Sequence, residues 1–408
     1  MLIVQKFGGT SVGSLERIEK VAERILKTVS EGNQVIAVVS AMSGETNKLI
    51  SYAQHFSESP IESEMDTLLS SGERVTSSLL SIALNSKGQK AKSLSGRGAG
   101  IVTDRNHTRA RIESIDSKPI LSEIENGNVV VVAGFQGVDD TGRVTTLGRG
   151  GSDLSAVALA GAIKADLCEI YTDVDGIYTT DPRIEPKSKK LDFISYDEML
   201  ELASLGAKVL QSRSVEMAKK LNVNLVTRSS FNENEGTLIT NEDNIMEQPL
   251  VSGIALDKSQ ARVGLIGVID RPGIASDIFK ALSDANINID MIVQTVGHKG
   301  SQSEYLTNVA FTVSREQLSE AKNCIQKFQN GNEIQEIEIN NDIVKVSIVG
   351  VGMKSHTGVA SKAFTTMAKE NINIMMISTS EIKVSMIIEE KYSELAVRSL
   401  HSAYELEK

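Results

Sequence analysis

The first half of the chain alternates short, nearly continuous apolar runs with longer stretches in which apolar residues recur at helical spacing. The apolar runs predict buried strands, and the helical spacing predicts amphipathic helices between them. Strands are predicted at residues 2–7, 35–39, 129–133 and 167–171, and helices over residues 18–29, around 64–87 and around 152–164. Buried strands that alternate with such helices indicate an α/β fold, in which a mainly parallel sheet lies between two layers of helices.

From Arg262 onward the predicted elements become shorter, and the chain repeats itself. Three segments return in order: Arg262-Val-Gly-Leu-Ile-Gly-Val as Lys345-Val-Ser-Ile-Val-Gly-Val, Gly273-Ile-Ala as Gly358-Val-Ala, and Asn286-Ile-Asn-Ile as Asn371-Ile-Asn-Ile. Each copy reads as strand, turn, helix, strand and a further hydrophobic segment, which predicts a small α+β unit used twice. The predicted domains are residues 1–245, a linker or extra strand at 246–261, and two repeats at 262–340 and 341–408.

Composition and charge narrow the classes of function. A length of 408 residues is too great for one compact core, and the net charge of −10 disfavours nucleic acid as a partner. The basic run Lys187–Lys190 is more typical of a solvated loop than of a binding site. No apolar stretch reaches the roughly 18 residues that would indicate a membrane span.

The two cysteines, Cys168 and Cys324, form no CxxC motif, and the five histidines are scattered along the chain. This usage disfavours a disulfide scaffold and a zinc site, and it is typical of a reducing compartment. The first residues enter a predicted strand without a basic region and an apolar core before it, so no secretory signal is predicted. We therefore expect a cytoplasmic protein.

The first glycine-rich motif is Lys6-Phe-Gly-Gly-Thr-Ser11, at the end of the first predicted strand. Two glycines let the backbone approach an anion, the following helix directs its amino-terminal amides toward the same place, and Lys6 adds a full charge. The motif is neither a Walker A loop nor GxGxxG, so a plain strand-to-helix turn remains the alternative.

The second glycine-rich motif is Thr145-Thr-Leu-Gly-Arg-Gly-Gly-Ser-Asp153, which opens another predicted helix. Amides and a bidentate arginine in such a loop can hold a carboxylate or a phosphate. Asp153 alone could be a helix cap, but the density of glycines and charges exceeds what capping needs.

Two further motifs carry candidate chemistry. The segment from Tyr171 to Arg183 leaves the end of a predicted parallel strand, where open α/β sheets bind ligands; turn chemistry at Asp175-Gly176 and Asp181-Pro182 is the alternative. Ser71-Gly-Glu-Arg74 falls inside a predicted helix, where glycine costs about 1 kcal/mol, so a ligand approach is one interpretation and a solvated face the other.

Taken together with Ser40-Ala-Met42, these motifs in this order resemble the aspartokinase family of the amino-acid kinase superfamily over essentially the whole chain. The repeat resembles tandem ACT domains of βαββαβ type, which sense amino acids. In two places the chain departs from the family pattern. Gln211-Ser212 stands where the family usually has His-Pro, which puts the local geometry there in doubt. Arg97 stands where relatives often carry an aromatic or another residue.

The resemblance implies roles for individual residues. Lys6 and Asp153 would be catalytic, with Asp153 orienting the lysine. Glu73 would hold the α-amino group of aspartate, and Arg149 one of its carboxylates. The implied ATP site comprises Lys6, Phe7, Gly8, Gly9, Ser40, Thr172, Asp173, Tyr178, Asp181 and Arg183. The implied aspartate site comprises Thr46, Glu73, Arg149, Gly150, Gly151 and Ser152. The implied effector sites comprise Gly273, Ile274, Ala275, Asn288, Asp290 and Gln294 in one copy and Val359, Ala360, Asn373, Ile374, Ser380 and Glu381 in the other.

The activity implied by the resemblance is transfer of the ATP γ-phosphate to the side chain of L-aspartate, giving 4-phospho-L-aspartate for lysine, threonine and methionine biosynthesis. Mg²⁺ would enter with ATP rather than at a separate metal site. Lysine, threonine or both would inhibit, the ACT domains would join a homo-oligomer, and a shorter subunit could start at Met246. A kinase for another amino acid, a non-catalytic amino-acid sensor and a purely dimerising repeat are the alternatives.

Overall fold

The computed structural model describes residues 1–204, 209–244, 250–299, 305–354, 356 and 358–408. These residues form two compact units. The first unit contains Met1–Ile177, Lys190–Ser204 and residues 209–244, and the second contains Tyr178–Lys189 and the described residues from 250 onward. The predicted subunit start at Met246 lies outside the described residues.

The first unit is an α/β domain. Its strands are β1 Leu2–Phe7, β2 Gln34–Val39, β3 Ala91–Leu94, β4 Ile101–Thr103, β5 Ile112–Ile115, β6 Val129–Ala133, β7 Gln136–Val138, β8 Val144–Thr146, β9 Leu167–Thr172, β10 Phe193–Ser195, β11 Leu225–Ser229 and β12 Thr237–Thr240. Its helices are α1 Leu15–Ser30, α2 Glu45–Phe56, α3 Glu62–Leu69, α4 Ser71–Ser86, α5 Lys118–Glu125, α6 Gly151–Ile163, α7 Tyr196–Ser204 and α8 Ser212–Leu221.

The main sheet has the strand order β10-β12-β11-β9-β1-β2-β6-β3. Its neighbouring strands run parallel except for the antiparallel pair β11 and β12, which confirms the predicted mainly parallel sheet. β1 therefore lies between β9 and β2, and the carboxyl ends of these three parallel strands lie at the same edge of the sheet. A smaller sheet of order β5-β4-β7-β8 precedes the loop that contains Arg149.

The core of the first unit explains why these elements form. Helix α1 buries one face, Ile18, Val21, Ala22 and Ile25, and this is the face that the helical spacing predicted. Helix α6 is buried almost along its whole length, because its residues are small or apolar. Cys168 lies fully buried in β9, and burial raises the pKa of its thiol.

One predicted helix is divided in the structure. The stretch around 64–87 forms α3 and α4, which meet at Ser70, so Gly72 lies in the first turn of α4 and not in a helix interior. Its lack of a side chain has a packing cause, because a Cβ at Gly72 would lie 2.8 Å from the Cβ of Ala41. The expectation of a costly mid-helix glycine is therefore wrong.

The second unit contains both sequence repeats. Its strands are β13 Gly253–Asp257, β14 Gln260–Ile269, β15 Ile289–Gln294, β16 His298–Lys299, β17 Tyr305–Ser314, β18 Glu336–Asn340, β19 Ile343–Val349, β20 Met376–Thr379 and β21 Lys383–Glu389. Its helices are α9 Ile274–Asp284, α10 Leu318–Asn330, α11 Val359–Lys369 and α12 Ser393–Ala403. Short 3-10 turns occupy Arg315–Gln317, Val351–Lys354 and Glu390–Tyr392, and the first unit has another at Glu242–Asn244.

Two antiparallel sheets organise this unit. One has the order β15-β17-β14-β18, with β16 paired to β17, and the other has the order β13-β19-β21-β20. β13 precedes the first repeat in sequence, yet it pairs with β19 of the second repeat, from Gly253 opposite Val349 to Asp257 opposite Lys345. The sheet of the second repeat therefore takes a strand from the linker side of the chain.

The segment Tyr178–Lys189 packs within the second unit, although it follows β9 of the first unit in sequence. The hydroxyl of Thr179 is hydrogen-bonded to the imidazole Nε2 of His401 at 2.9 Å. The Nε–H of Arg398 donates to the carbonyl of Ile184 at 2.8 Å. These contacts join the segment to helix α12. Within the described ranges, no helix combines the length and the apolar character needed to cross a bilayer.

The buried imidazole of His401 predicts a pH dependence of stability. The residue is 1% exposed, and burial lowers its pKa from 6.5, an effect that Glu185 and Glu407 oppose. A lowered pKa means that the unfolded chain binds the proton more readily, so this contribution to stability is present above pH 6.5 and is lost as the pH falls. We expect His401→Gln, which keeps a polar partner for Thr179, to weaken that loss.

The measurement is urea unfolding of the wild type and the variant at about pH 7.5 and about pH 5.5. The exposed His55→Gln is the matched control, since it removes a titratable imidazole from the surface. Equal acid sensitivity of the wild type and His401→Gln would contradict the assignment.

Candidate active site

A cleft of about 300 Å³ opens in the first unit where the loops after β1, β2 and β8 meet. It is lined by Lys6, Gly9, Ser40, Ala41, Met42, Ser43, Gly44, Thr46, Glu73, Phe135, Gly148, Arg149, Gly150, Gly151, Ser152 and Asp153. The structure thus brings together both predicted catalytic residues, all of the predicted aspartate-site residues, and Gly9 and Ser40 of the predicted ATP site.

The charged pair Lys6 and Asp153 forms part of the lining of the cleft. Lys6 is near the end of β1, Asp153 is in the first turn of α6, and the ammonium nitrogen lies 2.5 Å from a carboxylate oxygen. Both residues are only 8% exposed, so each charge needs the other. The pair fixes the lysine ammonium beside the space that a ligand would occupy.

Three helices begin at the cleft. Residues in the first turns of α2, α4 and α6 line it: Thr46, Glu73 and Ser152 respectively. The amino-terminal end of each helix has unpaired N–H groups and a partial positive charge. Their convergence makes the cleft favourable for anions even before Lys6 and Arg149 are counted.

The turn after β1 comes close to the end of β2. A Cβ at Gly9 would lie 2.9 Å from the carbonyl oxygen of Ala41, so no other residue fits there without displacing backbone. The absence of side chains leaves the backbone of this turn accessible from the cleft, as the sequence predicted for an anion site. Phe7 contributes differently, because its side chain is fully buried and stacks on Tyr171 with ring centroids 4.9 Å apart.

Glu73 is a buried carboxylate with one free oxygen. It is 4% exposed, and its Oε1 accepts a hydrogen bond from the backbone N–H of Ala41 at 3.1 Å. Its Oε2 is buried and has no hydrogen-bond partner in the described part of the chain. Burial raises the pKa of Glu73 to about 7, while the Ala41 N–H acts in the opposite direction. Such a group is suited to accept a hydrogen bond from a cationic ligand.

Arg149 supplies a second positive charge to the lining of the cleft. The residue is exposed, and it makes no ion pair with any residue that the structure describes. A guanidinium that is free and faces a cleft can bind a carboxylate or phosphate through two parallel hydrogen bonds.

The loop that carries Arg149 is tightly held. Gly148 and Gly150 have positive φ angles of 77° and 72°, which favour glycine. A Cβ at Gly150 would lie 2.1 Å from Cγ of Gln211, and the guanidinium of Arg213 donates to the carbonyl of Leu147 at 2.6 Å. Gln211, one of the two departures from the family pattern, therefore lies directly against the arginine loop.

The remaining residues of the predicted ATP site divide between the two units. Thr172 and Asp173 lie at the end of β9, next to the end of β1, and the Thr172 hydroxyl donates to the Asp173 carboxylate at 3.0 Å. Tyr178, Asp181 and Arg183 belong to the second unit, where Arg183 pairs with Asp181 at 2.7 Å. The residues that line the cleft include none of these five, and they do not include Phe7 or Gly8 either, so these ATP-site roles stay predictions.

Sequence reasoning missed three residues of the cleft, Ser43, Gly44 and Phe135, whereas Met42 and Gly148 belong to quoted motifs but received no role. Ser43 and Gly44 join the end of β2 to α2, and the same strand–loop–helix pattern that marked the Lys6 turn could have identified them. Phe135 has a φ of 69°, a conformation rare for a bulky residue, and the sequence holds no sign of it.

In the second unit, part of the predicted effector set shares a cleft of about 490 Å³. Val359, Ala360, Ser380 and Glu381 line it, whereas Asn373 and Ile374 do not. In the first repeat, Gly273 precedes α9 with a φ of 96°, and the carboxylate of Asp290 pairs with the ammonium of Lys345. The binding roles of these residues stay predictions.

Comparison with known proteins identifies the family. The profile of the amino acid kinase family matches residues 1–228, and ACT domain profiles match residues 264–329 and 346–404. An aspartokinase of Helicobacter pylori is 60% identical over 411 residues, which cover 100% of both chains. This chain belongs to the aspartokinase family.

Solved structures agree with this aspartokinase assignment. E. coli aspartokinase III in complex with lysine and aspartate, in its T-state, has a TM-score of 0.76 and 26% identity, covering 98% of this chain and 99% of that chain. The same enzyme in complex with aspartate and ADP, in its R-state, has a TM-score of 0.80 at 24% identity and covers 99% of both chains; at that identity the likeness shows the fold alone.

The contact between Gly150 and Gln211 leads to a prediction about this loop. Gly150→Ala would introduce both an unfavourable φ and a clash with Gln211, whereas Gly127→Ala, at a φ of 77° with open space around it, would introduce only the unfavourable φ. We expect Gly127→Ala to lower the free energy of unfolding by about 1–2 kcal/mol and Gly150→Ala to lower it by more.

Adding Gln211→Ala to Gly150→Ala should recover part of the excess, because it removes Cγ but leaves the Cβ of residue 211 at 2.8 Å from the added methyl group, and it should leave the backbone cost. Urea unfolding of the single and double variants measures both parts. Equal losses in Gly127→Ala and Gly150→Ala would show that Gln211 does not confine the loop.

Proposed function

We propose that this aspartokinase-family chain transfers the γ-phosphate of ATP to the side-chain carboxylate of L-aspartate, giving 4-phospho-L-aspartate. The observation that carries the proposal is that groups of opposite charge line one cleft. Glu73 offers a buried free oxygen to a cation, Arg149 offers a free guanidinium to an anion, and Lys6, paired with Asp153, lines the same cleft.

The acceptor fits this arrangement by its charges. Aspartate carries one ammonium and two carboxylates, and the free oxygen of Glu73 would bind the ammonium. Arg149 would bind one carboxylate, which leaves the other as the nucleophile. Thr46 and Ser152, in the first turns of α2 and α6, would add hydroxyl and amide hydrogen bonds. The Helicobacter relative and the E. coli complex with lysine and aspartate support the choice of substrate.

The chemistry asks for charge neutralisation rather than proton removal. A carboxylate is already ionised near neutral pH, so the acceptor needs no general base. Two anions must instead be held in line, and Lys6, the helix amino termini and the glycine turn at Gly9 would stabilise the charge on the transferring phosphoryl group. Asp153 would keep the Lys6 ammonium aimed at that charge.

Mg²⁺ fits this site as a partner of the nucleotide. Within the described ranges, no group of three or more His, Cys, Asp or Glu side chains is placed to hold a metal ion. Bound to the phosphate oxygens of ATP, Mg²⁺ would supply further neutralisation of the phosphoryl charge.

Regulation is the second part of the proposal. Lysine, threonine or both would bind the ACT repeats and inhibit this first step of lysine, threonine and methionine biosynthesis, as the E. coli complex with lysine suggests for its own chain. In the second repeat, Ser380 and Glu381 lie in one cleft with the start of α11, which suits the ammonium and carboxylate of an amino acid. Gly273, Asn288, Asp290 and Gln294 would serve the first repeat.

The proposed homo-oligomer is supported by two edge strands. β15 and β20 are the outermost strands of their sheets, and each exposes an apolar side chain: Ile292 is 53% and Ile377 is 43% exposed. Edge strands of this kind pair readily with a second copy. A separate subunit starting at Met246 remains part of the proposal, and mass spectrometry of the purified complex tests it.

A coupled assay with ATP, Mg²⁺ and either aspartate, glutamate or acetylglutamate tests the activity. We expect turnover with aspartate and a loss of at least roughly 100-fold in Lys6→Ala, because the charge that stabilises the transferring phosphoryl group is removed. Binding of lysine or threonine should survive that substitution. Lys20→Ala, at an exposed position on α1, is the matched control. Turnover of glutamate but not aspartate would refute the proposal, and unchanged turnover in Lys6→Ala would remove Lys6 from the mechanism.

The raised pKa of Glu73, about 7, predicts how acceptor binding depends on pH. The carboxylate must be ionised to bind the ammonium, so KM for aspartate should fall by roughly tenfold between about pH 6 and about pH 8. Glu73→Gln should raise KM and remove this dependence, whereas Glu113→Gln on the surface should leave it unchanged. A wild-type KM that is flat across this range would contradict the assigned role.

A further inference from the structure

The loop that carries Arg149 begins where β8 ends, at Thr146. The hydroxyl of Thr146 donates a hydrogen bond to Oδ1 of Asp66 at 2.5 Å. Asp66 lies in α3, and its side chain is completely buried. A buried carboxylate on a neighbouring helix therefore holds the last strand residue before the arginine loop.

The other partners of Asp66 come from a single turn, residues 107 and 108. The backbone N–H of Thr108 donates to both carboxylate oxygens, at 3.0 Å and 3.2 Å. Nδ1 of His107 lies 2.7 Å from Oδ2, and because the carboxylate accepts, the imidazole is the donor. No lysine or arginine forms an ion pair with Asp66 in the part of the chain that the structure describes, so donors alone compensate its burial.

This turn is in contact with the arginine loop. A Cβ at Gly148 would lie 3.0 Å from the carbonyl oxygen of Thr108, and the N–H of Ala110 donates to the carbonyl of Thr146 at 2.9 Å. Thr108 has a φ of 63°, which is unfavourable for a β-branched residue and persists only where the surroundings impose it. The N–H of Thr108 is held in this conformation by its hydrogen bonds to Asp66.

We propose that Asp66 is a positioning residue for the acceptor site, because it fixes Thr146 and the turn at Thr108 and thereby sets the loop that presents Arg149. The inference rests on the proposed function in one respect, the binding of an acceptor carboxylate by Arg149. Asp66 itself does not line the cleft, and it acts through the position of the arginine.

Both segments that Asp66 joins flank the same loop, and this argues for a positioning role over general stabilisation. If the network served only to stabilise α3, its loss would change KM for the acceptor, KM for ATP and the free energy of unfolding together. If it sets the position of the arginine loop, its loss raises KM for the acceptor and leaves KM for ATP unchanged, because Lys6 and the turn at Gly9 are held by other contacts.

The sharpest test uses a matched pair at Thr146. Thr146→Val keeps the shape of the side chain and removes the hydroxyl that donates to Asp66, whereas Thr146→Ser keeps the hydroxyl and removes a methyl group. We expect Thr146→Val to raise KM for the acceptor by up to roughly tenfold, a bound set by the free energy of one hydrogen bond to a charged group, with KM for ATP unchanged. Thr146→Ser should restore the wild-type value.

Asp66→Asn is the second variant, since its amide NH₂ would face N–H and O–H donors. It should raise the acceptor KM more than Thr146→Val does, while Asp140→Asn, in an exposed pair with Arg105, should leave it unchanged. If Asp66→Asn does not fold, the pair at Thr146 still decides the question.

Two results would overturn the inference: equal changes of both KM values in Thr146→Val, or the same acceptor KM in Thr146→Val and Thr146→Ser. The wild-type enzyme is first assayed with aspartate, glutamate and acetylglutamate, and the variants are assayed with the acceptor that it uses. If aspartate is not the substrate, the assay of the wild-type enzyme shows it. If Asp66 does not position the arginine loop, only the assays of the variants show it.

Discussion

The ion pair between Lys6 and Asp153 is the constraint around which the first unit is organised. It joins the central strand β1 to the start of α6, and both partners are nearly excluded from water. A buried charge without a partner is strongly destabilising, so the strand and the helix must meet in this register for either residue to be tolerated. The same pairing leaves the ammonium at the surface of the cleft. The contact that permits burial is thus also the one that aims the charge.

The surroundings of this pair share one property, which is an excess of hydrogen-bond donors and positive charge. Helices α2, α4 and α6 begin at the cleft, and the glycine turns expose backbone rather than side chains. Glu73 is the exception, because it is a carboxylate whose buried oxygen has no hydrogen-bond partner and could accept one from a cation. With Asp153 paired to Lys6, the lining of the cleft therefore holds one carboxylate with a free oxygen, Glu73, and two cations, Lys6 and Arg149. A zwitterion with a second carboxylate matches this distribution of charge, and a simple dicarboxylate does not.

The sequence was sufficient to predict the parallel sheet, because burial on both faces leaves continuous apolar runs that are visible without a structure. It also identified the residues of the cleft that carry charge, since Lys6, Glu73 and Arg149 lie in glycine-rich or unusual contexts. Long-range contacts could not be predicted from the sequence. Hydrophobic periodicity carries no signal of the division of a helix at Ser70, of the close approach of Gly72 to Ala41, or of the positive φ of Phe135.

The second unit shows the same limit. The repeat was visible as recurring sequence motifs, but strand pairing depends on residues that are distant in the chain. The packing of Tyr178–Lys189 against α12 likewise has no local signal in the sequence. Lys345 and Asp290 lie in different repeats, and only the fold brings the ammonium and the carboxylate together. Periodicity describes the faces of an element, whereas which element covers a face is set by the complete chain.

The pairing of β13 with β19 has a consequence for how this region can be made as a separate polypeptide. β13 is the edge strand of its sheet, and its residues precede the first repeat in the chain. Translation that starts at residue 246 would keep the strand, whereas translation that starts at residue 262 would omit it and leave the backbone of β19 unpaired along a long hydrophobic edge. A shortened product of that kind would be prone to aggregate. The sheet also cannot form completely until the ribosome has synthesised the second repeat. Folding of this region is therefore completed only after most of its residues have been made.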